Sequence, residues 1–288
     1  MTIMYLTFGQ QAEYHVQAYL SMLSFRRQMS SHDRLVMVTT APEYYRHAQQ
    51  WAEVVPVSSS LVSQWQGEHH FFWRAKIKAI EFVGSRYPVD DLLYLDCDTV
   101  LRGPINWLRQ QLASGQALMD TNDGHPSRMK TKTLRMWRTV GGRTYGGVTL
   151  GQQHCMYCAG VVGIPHAARQ QAVALALTLC DGMLADQAER IVIEQYALSV
   201  ALYETCGISE TRHSIAHYWA TKQEWLAAAN DLIARSRLTA ATLSDELLLF
   251  DQTDWAALPV YAHKSSTARR LHQFIDRLFP DRNQRYIR

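Results

Sequence analysis

Between Tyr87 and Pro104 the chain is centred on Leu92-Leu93-Tyr94-Leu95-Asp96-Cys97-Asp98-Thr99. The reading of that run decides the fold. Four apolar residues without polar alternation predict a short strand covered on both faces, as in the middle of a parallel sheet. Alternate residues of an extended segment point the same way, so Asp96 and Asp98 converge on one ligand at the carboxyl edge of that sheet. Two like charges so close repel unless a cation sits between them. A divalent ion with oxygen ligands meets that need, and such an ion commonly carries phosphates.

Upstream, Ile3 to Phe8 reads as a first strand, ended by Gly9 where a tight strand-to-helix turn is needed. Ala12, Val16, Tyr19, Leu20 and Leu23 follow at helical spacing. Leu35 to Thr39 is a second apolar strand, Pro42 suits the first turn of a helix, and Trp51 to Val57 offers a third strand. This rhythm predicts right-handed crossovers and a mainly parallel sheet. Phe71 to Val83 is expected as a helix with Phe72, Ala75, Ala79, Ile80 and Val83 inward, and spacing alone puts Lys76 and Lys78 on its solvated face.

Downstream, the pattern breaks between Asp120 and Gly151. Asn122-Asp123-Gly124-His125-Pro126 is turn chemistry, and Gly141-Gly142 with Gly146-Gly147 brackets Arg143 and Tyr145. A loop that long without evident structure reads as a lid, so 122–150 is expected to close over a ligand. Met156 to Ile164 returns to strand character, and Ala159-Gly160 permits close backbone approach. Pro165 opens a helix through Leu179. Asp186-Gln187-Ala188-Glu189 has capping-box spacing and is expected to launch a helix through Tyr203, which carries Glu194 and Gln195. Ile215 to Trp219 reads as a late strand, and helical segments fill the remainder.

Bulk properties narrow the classes. With 288 residues, 47% hydrophobic and 19% charged, the chain can bury a sizeable core and is not a disordered one. A net charge of +3 is too small to argue for nucleic acid. It is unevenly spread: Lys264 to Arg288 holds seven basic residues against Asp276 and Asp281. Cysteines at 97, 155, 158, 180 and 206 form an odd set without disulfide spacing, which points to a reducing, cytoplasmic compartment. Cys155-Met156-Tyr157-Cys158 lacks the second pair that a structural zinc site needs. Neither a signal peptide nor an apolar run of about 18 residues is evident.

Taken together, the motifs resemble GT-A fold glycosyltransferases, and most of all the family 8 galactosyltransferases and glycogenin relatives. Five landmarks stand in the family's order between residues 3 and 225. They are Arg74-Ala75-Lys76-Ile77-Lys78 before the strand, the Asp96-Cys97-Asp98 motif, Cys158-Ala159-Gly160-Val161, Glu194-Gln195, and His217 with Lys222 and Trp225. Cys158 stands where the family usually has asparagine, Gln223 where it has the lysine, and Tyr196 where a second acidic residue commonly follows the glutamine.

The resemblance implies a three-layer α/β sandwich with a catalytic domain over 1–225 and a helical, basic extension over 226–288. It further implies transfer of a sugar from a nucleoside-diphosphate donor, a UDP-sugar, using Mn²⁺ or Mg²⁺ held by Asp96, Asp98 and His217. An imidazole ligand favours manganese over magnesium. Lys76 and Lys222 are then expected at the phosphates, and Thr7, Phe8, Gly9, Cys97, Ala159 and Gly160 along the nucleotide and sugar. Gln195 is the front-face helper of a retaining reaction; for an inverting one, Glu194 or Asp123 stands as general base. The acceptor stays open among a glycan, a lipid-linked glycan, a protein and a small molecule.

Two other readings carry distinct expectations. Leu95-Asp96-Cys97-Asp98-Thr99-Val100 also fits the nucleophile motif of haloacid-dehalogenase phosphatases, with Asp96 attacking phosphorus and Asp181 and Asp186 as the distal acidic motif. A degenerate, non-catalytic nucleotide-sugar-binding protein is the third. The stripe Leu271, Phe274, Ile275, Leu278 and Phe279, flanked by arginines, is expected to pack on its own domain; the alternative is peripheral attachment to the anionic inner face of a membrane.

Overall fold

The computed structural model describes residues 1–129 and 132–261, together with helical positions 271, 274, 275, 277 and 278. In the first half run β1 (Thr2–Thr7), α1 (Ala12–Arg26), β2 (Arg34–Thr39), β3 (Glu53–Pro56), α2 (Ser59–Trp65), α3 (Arg74–Arg86), β4 (Leu92–Leu95), β5 (Thr99–Leu101), α4 (Ile105–Ala113) and β6 (Ala117–Met119). The middle holds β7 (Asn122–Gly124), α5 (Lys132–Val140), β8 (Thr144–Tyr145), β9 (Val148–Thr149), β10 (Met156–Tyr157) and β11 (Val161–Ile164). The remainder comprises α6 (His166–Ala185), α7 (Ile193–Thr205), β12 (Ile208–Glu210), β13 (Ile215–His217), α8 (Lys222–Leu238) and α9 (Leu243–Gln252).

Seven strands form the main sheet in the order β12-β6-β11-β4-β1-β2-β3. The pairs β1–β2, β1–β4, β2–β3 and β6–β12 are parallel; only β11 runs antiparallel to its neighbours β4 and β6. Because side chains alternate along a strand, β1 sends Met4 and Leu6 to one face and Ile3 and Tyr5 to the other. The first face packs against α3, α6 and α7, the second against α1, α4, α8 and α9. All four residues of β4 are buried, the two-sided cover that its unbroken apolar run predicts.

Four expectations need correction. The described residues of 122–150 carry regular structure: α5 buries Met136 and Val140, and a hairpin of β8 and β9 turns through Gly146 and Gly147, both at positive φ. The apolar period of α5 is hard to see among Lys132, Arg135 and Arg138, and the paired glycines that suggest flexibility serve a tight turn. Helix α3 starts at Arg74, so Phe72 lies before it, 42% exposed and edge-on to Phe8. Asp186 opens no helix; it is the C-terminal cap of α6. Its carboxylate accepts from Tyr145 and pairs with Arg143, and α7 begins at Ile193 after a 3₁₀ turn.

The expected boundary at residue 225 falls inside α8. Ala229, Leu232 and Phe250 beyond it join the core of the second face, and Trp225 is buried between Tyr218 and Trp255. Phe279 and most of the basic tail lie outside the described residues, while Leu271, Phe274, Ile275 and Leu278 are exposed. No described helix is long and apolar enough to cross a membrane.

Candidate active site

A cleft of about 1080 Å³ opens along the carboxyl edge of the sheet. Strands β1, β4 and β6 point their C-terminal ends there, and β11 starts there because it is antiparallel. Strand order reverses between β1 and β4, the switch point where open α/β sheets bind ligands.

Asp96 and Asp98 flank the turn that follows β4. The Asp96 N–H donates to the Gly160 carbonyl (2.8 Å), and the Tyr94 hydroxyl donates to the Asp96 carboxylate (2.7 Å). The third group arrives from far along the chain: β13 pairs with β5, setting His217 opposite Thr99, and the Tyr218 N–H donates to the Asp98 carbonyl (3.0 Å). His217 Nε2 then lies 3.4 Å from Asp98 Oδ1, while Nδ1 lies 2.8 Å from Asp120 Oδ2. Asp96, Asp98 and His217 each offer one ligand atom within 4.8 Å of the others. The imidazole packs on Gly160, where any Cβ would come 2.2 Å from its Cε1.

Two lysines balance the carboxylates. Lys76 is buried, 3.2 Å from Asp96 and 4.0 Å from Glu194, and it donates to the Ala159 carbonyl. Burial pulls its pKa down, but Asp96 and Glu194 hold it above the usual lysine range. This separates it from Lys78, which pairs with Glu81 on the outer face of α3. Lys222 reaches Asp98 Oδ2 at 2.7 Å from the first turn of α8. For Asp98, burial raises the carboxyl pKa, yet His217 and Lys222 hold it well below the ordinary carboxylate range. Burial likewise lowers His217, and its hydrogen bonds to Asp120 and Asp98 raise it well above the usual imidazole value.

On the opposite wall, Gln195 Oε1 accepts from the Ala159 N–H (3.3 Å) and its Nε2 donates to Asp123 Oδ2 (3.3 Å). Asp123 is solvent-exposed as a residue, yet burial of its carboxyl group and the Asp120 charge raise its pKa to about 6. Glu194 is buried, its pKa raised by burial, and its Oε2 has no hydrogen-bond partner among the described residues.

Of the residues expected from sequence, Thr7, Phe8, Lys76, Asp96, Cys97, Asp98, Asp123, Gly160, Glu194, Gln195, His217 and Lys222 line the cleft. Gly9 and Ala159 do not: Gly9 takes positive φ in the turn behind it, and Ala159 contributes its backbone only. From 122–150 only Asp123 reaches the cleft among the described residues. Asp181 pairs with Arg74 and Asp186 with Arg143, so the distal acidic motif of the phosphatase reading is absent from the site. Sequence reasoning missed Asp120 and Tyr94, and the rim aromatics Tyr14, Trp73, Trp219 and Tyr261. The alternation that pairs Asp96 with Asp98 also carries Tyr94, which is a signal that could have found it.

No protein-family model matches the chain, and no curated protein matches it in sequence. Solved structures do match. The galactosyltransferase LgtC, in complex with donor and acceptor sugar analogues, is 13% identical over 74% of each chain with a TM-score of 0.51. Mouse xyloside xylosyltransferase 1, in its apo form, is 10% identical over 72% of this chain and 83% of that chain, with a TM-score of 0.47. At such identity the likeness to LgtC speaks for the fold, and the fold is GT-A.

Proposed function

We propose that this protein is a metal-dependent glycosyltransferase that moves a sugar from a UDP-sugar to an acceptor hydroxyl. The observation that carries the reading is the convergence of Asp96, Asp98 and His217, flanked by Lys76 and Lys222, in a cleft large enough for a nucleotide sugar. Two carboxylates and one imidazole suit Mn²⁺ better than Mg²⁺. When bound, such an ion neutralises the charge that develops on a departing diphosphate.

The chain's own groups do the rest. Lys76 and Lys222 supply fixed positive charge on two sides of the diphosphate position, and Thr7, Phe8 and Cys97 line the nucleotide. Gln195, its amide pinned between Ala159 and Asp123, and Glu194, with one carboxylate oxygen unpartnered among the described residues, face the sugar. Tyr14, Trp73, Trp219 and Tyr261 give flat apolar faces at the rim, which suit a base or the rings of a glycan acceptor. Unpaired cysteines fit action in the cytoplasm.

Calorimetric titration with UDP, with and without Mn²⁺, tests the reading. We expect binding by the wild type only with the metal, and none by Asp98→Ala. If no nucleoside diphosphate binds under any metal condition, the reading is overturned.

A further inference from the structure

The cleft brings a second set of donors together around His217: Asp120, Cys158 and His217 also place ligand atoms within 4.8 Å of one another. This set uses the other ring nitrogen. Nδ1 lies 2.8 Å from Asp120 Oδ2 and 3.6 Å from Cys158 Sγ, while Nε2 points to Asp98. The geometry points to a soft-metal site, for Zn²⁺ or a similar thiophilic ion, built from Asp120, Cys158 and His217.

Ligand spacing supports the assignment. Zinc bound tetrahedrally at ordinary lengths needs about 3.5 Å between nitrogen and sulfur and about 3.4 Å between nitrogen and oxygen. The first spacing is already present, and the second needs the Asp120–His217 hydrogen bond to open by about half an ångström. The backbones are held for it. The Asp120 N–H donates to the Cys158 carbonyl (3.2 Å), the Cys158 N–H to the Thr121 carbonyl (2.8 Å), and the Thr211 N–H to the Asp120 carbonyl (3.1 Å). All three residues line the cleft, so an ion has a way in. Binding releases the thiol proton and the Nδ1 proton to solvent, and the resulting thiolate and carboxylate balance the charge of a divalent ion. The chemistry is thiolate, imidazole and carboxylate, which favours zinc over magnesium or manganese.

The two donor sets exclude one another. A neutral imidazole has one free lone pair, and the opposite N–H orients the ring by donating to a carboxylate. An ion on Nδ1 leaves the Nε2 proton on Asp98; an ion on Nε2 leaves the Nδ1 proton on Asp120. Resting on the transferase reading, this makes a soft ion an inhibitor that withdraws His217 from the donor's metal.

Cadmium titration of the full chain, followed by thiolate-to-cadmium charge-transfer absorption, tests the site without nucleotide. We expect one thiolate-bound ion in the wild type and in Asp96→Asn. Cys158→Ser should lose the band and at least about tenfold in affinity, the least that disturbing a ligand's surroundings costs. An unchanged band in Cys158→Ser, or equal loss in Asp96→Asn, overturns the proposal. In the wild-type protein, Zn²⁺ should also slow alkylation of Cys158 by iodoacetamide while leaving Cys155 unaffected; equal protection of both thiols, or of neither, overturns it too. Should UDP fail to bind, the transferase reading falls while the cadmium and alkylation results still decide this site.

Discussion

Two buried glutamates show how this fold separates scaffold from site. Glu246 on α9 is 3% exposed and accepts from Tyr19 (2.6 Å), Ser236 and Arg237 (2.9 Å), tying α1 to α8 and α9. Glu194 on α7 is 6% exposed, yet one carboxylate oxygen lies 4.0 Å from the Lys76 ammonium and the other has no hydrogen-bond partner among the described residues, although the residue lines the cleft. A buried carboxylate is costly unless hydrogen-bonded and paired. Glu246 meets that condition inside its own fold. Glu194 does not, and an unmet demand beside an open cleft marks a place where a ligand completes the bonding.

The contrast breaks most sharply through the charged centre of the cleft. Asp96→Asn should lower sugar transfer by about a thousandfold or more, roughly 4 kcal/mol of barrier, in a donor-turnover assay. Glu246→Ala should instead cost about 3 kcal/mol of stability in urea unfolding, because Arg237 is left without its buried partner, while UDP affinity stays unchanged. The matching change Glu194→Gln should move stability by less than about 1 kcal/mol, since little bonding is lost, and lower turnover by about tenfold to a hundredfold. If Glu194→Gln unfolds the protein as readily as Glu246→Ala, the distinction between the two glutamates collapses.

Smaller effects sharpen the same comparison. Gly160→Ala puts a methyl group against the His217 ring and should weaken Mn²⁺ binding by about tenfold, read by titration calorimetry. The pH dependence has a definite sign at His217. Its folded pKa is raised, so its contribution to the metal-free protein is complete below about pH 6.5 and fades as pH rises through the folded value. Metal binding at Nε2 must expel a proton, so Mn²⁺ affinity should fall on acidification, and the binding heat at pH 7 should vary with the buffer's ionisation enthalpy. The smallest effect belongs to Asp123, whose raised pKa makes its ionisation unfavourable. The wild type should lose stability relative to Asp123→Asn as pH rises from about 4 through about 6, by less than about 1 kcal/mol after solvent screening.

Much of the frame is legible residue by residue. The apolar run before Asp96 predicts the central strand, and the early strand–helix rhythm predicts the parallel pairs on both sides of β1. Asp96, Asp98, Gly160, Gln195 and His217 are named from motifs and do line one cleft. What fails is whatever depends on a partner distant in sequence. Lys76 and Lys78 look alike on one helix, and only the approach of Asp96 and Ala159 shows that Lys76 is buried. Asp120 carries no motif, and its role comes from β6 ending beside Cys158 and His217. The 122–150 stretch reads as a lid because two-residue strands and one basic helix leave little periodic signal.

By itself the sequence determined the elements and the local pairing of Asp96 with Asp98, because strand alternation and helix period are properties of near neighbours. The tertiary structure alone decided which charges are satisfied and which wait for a ligand. Glu194 and Glu246 are both helical glutamates in mixed apolar surroundings; the Glu194-Gln195 motif marks the first as a site candidate, but nothing near either in sequence says which carboxylate finds its hydrogen-bond partners. Their difference lies in what packs opposite: Tyr19, more than two hundred residues away, closes one, and an open cleft faces the other. Hydrogen bonding acts over about 3 Å whatever the separation along the chain, so that distinction exists only once the chain is folded.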